Sequence, residues 1–358
     1  MIQKIKEKLK QIFFEESENE EIKKSFIDRL KEFFTSPKEI ISFFAPIVIA
    51  IILIMPVPYT ITVGGGTINI DKRIKVENSK KEEGSLNSAY VKELKGRIVT
   101  YLLAKIIPSY ELNPIEESTL ENETEKEYMY REKTYFTSSL ESATIVAYQY
   151  ANKKIEIKDE KLYVLYILNE AETTLQVEDE ILSIDAVGVN DISNITEILN
   201  SHEIGDILPV KVLRNNKEID CTVKVKNIDN AKKIGIYLNT SYVYETNPKI
   251  DFKFTNRESG PSGGLMIALS IYNKLVDEDI TKGRKIVGTG TIDVDGKVGE
   301  VGGIKEKLTG AIKEKADIFI VPQENYDEAV EIKTKMKYNI ELLSASTFEE
   351  AIKKLRGD

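Results

Sequence analysis

RESGPSGGLMIALSIYNKLV, residues 257–276, opens on a cluster of helix-breaking residues and then becomes apolar-periodic. Leu265, Ala268, Leu269, Tyr272 and Leu275 recur on one face, so a glycine-rich loop delivers the chain into a helix. Ser262 sits at that entry, with Gly260 and Pro261 before it and Gly263 after it. The glycines let backbone come close, and free N–H groups at a helix N-terminus can stabilise the oxyanion of an acyl-transfer transition state. Two plainer readings compete: a serine N-cap and an anion-binding loop. The phosphate-loop signature G-x-x-x-x-G-K-[ST] is absent from the sequence.

The next stretch, RKIVGTGTIDVDGKVGEVGG (284–303), reads as strand, turn and strand leading into a helix over IKEKLTGAIKEKA (304–316). Ile304, Leu308, Ala311, Ile312 and Ala316 define its buried stripe. At 100° per residue, Lys305 projects nearer the centre of that stripe than Lys307, and Lys315 falls in it near the far end. A partly buried lysine in a first helical turn is pushed toward its neutral form by desolvation and by the helix dipole. Serine is a weak nucleophile without a base, and the chain has one histidine, His202. Ser262 and Lys305, forty-three positions apart, therefore read as nucleophile and base.

Upstream, the texture over residues 155–228 is strand, strand, helix, hairpin: KLYVLYIL, DEILSIDAVGV, ISNITEILNSH, then DILPVKVLRNNKEIDCTVKV with an Asn215-Asn216 turn. Residues 59–154 are less legible. YTITVGGGTINI (59–70) reads as strand, turn, strand, and RIVTYLLAKIIPSY (97–110) as a further strand or buried segment. Residues 111–133 read as a solvated excursion, and the helical period returns from Leu140 to Ala147.

No charged residue occurs from Ile40 to Ile70. The apolar residues 40–57 would rise about 27 Å as a helix, close to the roughly 30 Å of a hydrocarbon core. A transmembrane helix at 40–58 is the expectation, preceded by a cytoplasmic amphipathic segment over 1–39. Lys23, Lys24, Arg29, Lys31 and Lys38 lie before the span and Lys72, Arg73 and Lys75 beyond it. This asymmetry places the N-terminus in the cytoplasm and the rest outside, on a single-pass membrane protein. A formal net charge of −9 and the lack of any extended basic block exclude generic nucleic-acid binding. One cysteine, Cys221, excludes an internal disulfide and Cys-rich zinc sites.

Residues 155–228 resemble a PDZ domain of the kind attached to bacterial proteases. VEDEILSIDAVGVND (177–191) is similar to its Gly-Asp-x-Ile strand, with Glu178 where such domains usually have glycine. The resemblance implies peptide capture by strand addition. Residues 245–356 resemble the proteolytic domain of the Lon family: GPSGG is similar to its nucleophile motif, and GTGTIDVDGKVGEVGGIKEK to the segment bearing its lysine. That resemblance implies a Ser–Lys dyad of Ser262 and Lys305, with Thr289 orienting the lysine, and assembly into homo-oligomeric rings. Ser259 stands where Lon proteases often have aspartate.

The combination looks like the membrane-anchored PDZ–Lon proteins of Gram-positive bacteria. The expected fold is α+β: a transmembrane helix, a PDZ-like β-rich module, and a Lon-type proteolytic domain of mixed sheet with helices over 229–358. The expected function is an ATP-independent serine endopeptidase acting on exported or membrane protein segments, with no cofactor and no metal. The alternative is a non-catalytic, membrane-anchored scaffold or peptide-binding adaptor.

Overall fold

The computed structural model describes residues 37–80, 82–107 and 109–357. Most of the expected cytoplasmic segment, residues 1–36, lies outside the described residues. From there helix α1 (Pro37–Ile54) runs into strand β1 (Pro56–Asn69), followed by β2 (Ser85–Arg97), α2 (Ile98–Ile106), β3 (Tyr110–Pro114) and α3 (Glu125–Tyr150). A β-rich module follows: β4 (Lys154–Ile167), β5 (Glu180–Ile184), α4 (Ile192–Asn200), β6 (Ile207–Arg214), β7 (Lys217–Lys224) and β8 (Ile236–Asn247). The chain closes with α5 (Gly264–Leu275), β9 (Lys285–Gly288), α6 (Ile304–Lys313), β10 (Ile318–Pro322), α7 (Tyr326–Met336), β11 (Glu341–Ala345) and α8 (Phe348–Arg356).

One six-stranded mixed sheet, in the order β11-β10-β9-β2-β1-β3, joins the two ends of the chain. Strands β11, β10, β9 and β2 are parallel, whereas β1 is antiparallel to both β2 and β3. Its central strands are apolar on both faces, as parallel strands covered by helices must be. Ile286, Ile318 and Ile320 pack with α5, α8 and the C-terminal half of α3. Val287, Phe319 and Val321, one residue out of phase, pack on the other face with Ile304, Leu308 and Ala311 of α6. Residues 59–154 are thus not a separate region: β1, β2 and β3 are half of the sheet that the C-terminal segment completes.

The local readings in this region change accordingly. YTITVGGGTINI is one strand, β1, which passes through its glycines with a register shift between Gly64 and Gly66. RIVTYLLAKIIPSY contains helix α2. The expected solvated excursion already holds the first turns of α3, which start at a capping box: Thr124 accepts from the Glu127 N–H while Glu127 accepts from the Thr124 N–H.

The β-rich module is an antiparallel sheet in the order β8-β4-β5-β6-β7 around its own core of Leu162, Val164, Ile184, Val212 and Val223. Asp191 caps α4 by accepting from the Ser193 N–H at 2.8 Å. Asn215 and Asn216, both at positive φ, turn β6 into β7 as the primed hairpin geometry requires. The sheet runs past residue 228, because β8 pairs with β4 along its whole length. Glu178 occupies a left-handed position, φ 80°, which explains why glycine is the usual residue there. Glu178→Gly should raise stability by about 1 kcal/mol in a urea melt. Relief of the strained backbone outweighs the exposed ion pair to Lys126, worth a few tenths.

Among the described residues no helix is long and apolar enough to cross a membrane. Helix α1 ends at Ile54, short of the expected span over 40–58, because Pro56 and Pro58 belong to an extended strand and a proline disfavours helix in the residue before it. Its apolar part, Ile40–Ile54, rises only about 22 Å.

Candidate active site

Ser262 lies in the loop between β8 and α5, and two parts of the fold, α3 and the residues that follow β9, grip that loop by its backbone. The Gly260 N–H donates to Glu132 O of α3 at 2.9 Å, and Pro261 O accepts from the Ser139 hydroxyl of α3 at 3.2 Å. Ser262 O accepts from the Thr289 hydroxyl at 3.0 Å and from the Gly290 N–H at 2.8 Å, just beyond the end of β9. The Thr289 N–H in turn donates to Ile320 O of β10, so the loop is tied to the centre of the sheet. Thr289 is fully buried, and its hydroxyl holds the Ser262 backbone in place.

Two glycines are steric necessities here. Gly260 sits at φ 76°, and a Cβ on Gly264 would lie 2.5 Å from Ser139 Oγ and 2.9 Å from Ile292 Cγ2. The N-cap of α5 is Gly263, not Ser262. The plain capping explanation for this serine therefore fails. Gly263 lies close to β2, where a Cβ would be 3.2 Å from Ser88 Oγ.

The lysines of α6 are placed opposite to their expected order. The Lys305 side chain is 44% exposed, with Nζ 4.0 Å from Glu306 Oε1. Lys307 is 2% exposed. The helix ends at Lys313, so Ala316 is not on it, and Ile312 is only half-buried. Without those two residues the stripe becomes Ile304, Lys307, Leu308, Ala311, an i, i+3, i+4, i+7 set with Lys307 inside it. Lys315 is exposed beyond the helix end at φ 57°. Burial lowers the Lys307 pKa to about 8, against a smaller opposing pull from Glu328. Desolvation also raises the pKa of its buried neighbour Glu306. Helix α6 packs across β1, β2 and β9, the last being the strand whose end holds Ser262.

Sequence reading located Ser262, Thr289 and the glycines but missed Glu132, Ser139 and Ser88, which come from strands and helices more than 120 positions upstream. Nothing local marks them. The burial of Lys307 had a signal, in its spacing from Ile304 and Ala311. Helix α3 also reaches the β-rich module: Glu141 accepts from the Ser241 hydroxyl and the Tyr242 N–H, and the Ser138 hydroxyl donates to Asn239 Oδ1. Among the described residues no group of three or more His, Cys, Asp or Glu stands ready to hold a metal.

The clamped serine and the lysines of α6 lie in a segment that is similar to known proteins. Residues 255–356 match the Lon protease (S16) C-terminal proteolytic domain. Residues 155–225 match the PDZ domain family. Lon protease of Campylobacter jejuni is 31% identical over 96 residues, covering 26% of this chain and 12% of that protein. Lon protease of Mycoplasma mobile is 34% identical over 100 residues, covering 28% and 12%. The chain therefore spans about an eighth of the curated relatives it matches. A crystal structure of the PDZ domain of an SdrC-like protein from Listeria monocytogenes is similar at 20% identity and TM-score 0.21, covering 23% of this chain and 92% of that one.

Proposed function

We propose that the protein is a serine endopeptidase in which Ser262 attacks the peptide carbonyl and Lys305 takes the hydroxyl proton. The observation that carries this reading is the match of residues 255–356 to the Lon protease C-terminal proteolytic domain, a segment that contains both Ser262 and Lys305, together with the backbone clamp on the Ser262 loop. Attack forms the acyl-enzyme, and the proton held by Lys305 passes to the leaving amine. Water then repeats the sequence to release the acid. The Gly264 and Leu265 N–H groups are already committed, to Pro261 O and Gly290 O, which leaves those of Ser262 and Gly263 to face the oxyanion. Lys307, buried in the apolar stripe of α6, is assigned no proton-transfer role.

No phosphate-loop motif accompanies the site, which supports an activity independent of ATP. Without an unfolding motor the substrates are unfolded or flexible protein segments, with the PDZ-like module receiving peptide as an added strand. Attachment to a bilayer through residues 40–57 is supported by the apolar side chains that α1 leaves exposed, among them Ile41, Phe43, Ile47, Ile51 and Ile54. The charge asymmetry around this segment supports a cytoplasmic N-terminus and an extracytoplasmic catalytic domain. Ring assembly belongs to the same reading.

Ser262→Ala should abolish both cleavage of an unfolded substrate such as casein and covalent labelling by a fluorophosphonate. Full cleavage by the purified Ser262→Ala protein would refute the nucleophile. Absence of both reactions in the wild-type chain would favour the peptide-binding scaffold.

A further inference from the structure

We propose that α2 lies in the headgroup–acyl boundary of a lipid bilayer beside α1, so that two helices, not one, seat the peptidase sheet on the membrane. This rests on the reading of α1 as the point of bilayer attachment. Helix α2, IVTYLLAKI, has no buried residue. Leu102 and Leu103 are exposed and Ile106 is 76% exposed, although Thr100, Tyr101 and Lys105 are its only polar side chains. A helix apolar almost all round is normally covered on every side. Here the protein covers one side only: Ile98, Val99, Tyr101 and Ala104 are half-buried, while Leu102, Leu103 and Ile106 stay bare.

Continuity with α1 identifies the cover. The Arg97 guanidinium donates from Nη1 to Ile54 O at 2.6 Å, and the Ile98 N–H donates to Met55 O at 3.1 Å. The first turn of α2 therefore begins against the last turn of α1, and the bare apolar surfaces meet at one corner of the molecule. The polar groups at that corner are of interfacial type. The Tyr59 and Tyr101 rings lie 5.3 Å apart, Lys105 Nζ stands 5.4 Å from the Tyr101 ring centre, and Arg97 sits at the junction. Aromatic rings and snorkelling cations favour the headgroup level, and α2 itself bears no carboxylate that an anionic lipid would repel.

The arrangement limits the height of the active site. Only Met55 separates α1 from β1, so no flexible tether intervenes. Gly64, eight residues along β1, lies against α6, with Glu306 O 3.8 Å from where its Cβ would be. At about 3.3 Å per residue, that contact lies at most roughly 26 Å from the end of α1. Chain segments presented within that distance of the bilayer are the substrates this geometry reaches.

The chain has no tryptophan, so a single introduced one reports its surroundings without background. The full chain is placed in vesicles of phosphatidylcholine and phosphatidylglycerol with lipids brominated near the headgroup end of the acyl chain. Three variants are compared: Ile106→Trp in α2, Ile47→Trp in α1, and Tyr237→Trp on the exposed face of β8 as control. The expected result is loss of most of the emission in the first two variants and none in the third. If Ile47→Trp is quenched and Ile106→Trp is not, bilayer attachment stands and the role of α2 is overturned; a blue-shifted but unquenched Ile106→Trp identifies a second copy of the chain as the cover. If neither is quenched, bilayer attachment itself fails and the role of α2 fails with it.

Discussion

Replacing Lys305 by methionine lowers peptide hydrolysis on the order of 10³-fold, whereas replacing Lys307 by methionine makes the folded protein more stable. The second effect follows from burial. Lys307 is held where its charged form is desolvated, with a pKa of about 8 against an ordinary 10.5. Between these values the unfolded chain binds more protons than the folded one, so stability falls as pH drops from 10.5 to 8 and stays low below that. A shift of this size corresponds to about 3 kcal/mol, and methionine, which packs without a charge, recovers much of it at pH 7. Lys307→Met leaves the rate near wild type. Lys305→Met, by contrast, alters a half-exposed side chain and leaves the melting temperature near wild type. Thermal melts and peptide kinetics on the two variants check both halves of the statement.

A large loss of stability is expected from Arg214→Ala in the PDZ-like module. Asp179 is fully buried, and its carboxylate accepts from Arg214 Nε at 2.6 Å and Nη2 at 2.7 Å, with the Gln176 N–H as a further donor. The same pairing raises the Arg214 pKa. Truncating the arginine leaves a carboxylate inside the module with one remaining partner, at a cost of about 3–5 kcal/mol. Arg214→Lys restores a charge but not the two-pronged geometry and recovers only part of the loss. Urea unfolding followed by circular dichroism measures the difference; a change under about 1 kcal/mol for Arg214→Ala contradicts the pairing as described.

What could be read from the sequence was local. The PDZ-like strands, helix and Asn215-Asn216 hairpin follow from alternation and turn chemistry within about seventy residues, and the Ser262 loop from its glycines. The division of the sheet could not be read that way, because β2 pairs with β9 across 200 positions and no short pattern encodes such a partnership. Helix α2 was misread for a related reason. An apolar run flanked by polar residues fits a buried strand as well as a helix, and only its uncovered position tells the two apart. The relative burial of the two lysines was misjudged through a boundary error: Ala316, counted in the stripe, lies past the helix end, and Ile312 is only half-buried, so the true stripe is rotated toward Lys307. The capping box at Thr124 and Glu127 was a legible start signal for α3 inside a stretch whose Glu and Asn content read as solvated.

Acylation of Ser262 by a fluorophosphonate, followed as a function of pH in the wild type and in the two lysine variants, tests the dyad most directly. Labelling is expected to proceed in the wild type and in Lys307→Met and to be lost in Lys305→Met. Labelling that survives in Lys305→Met and disappears in Lys307→Met would contradict the dyad.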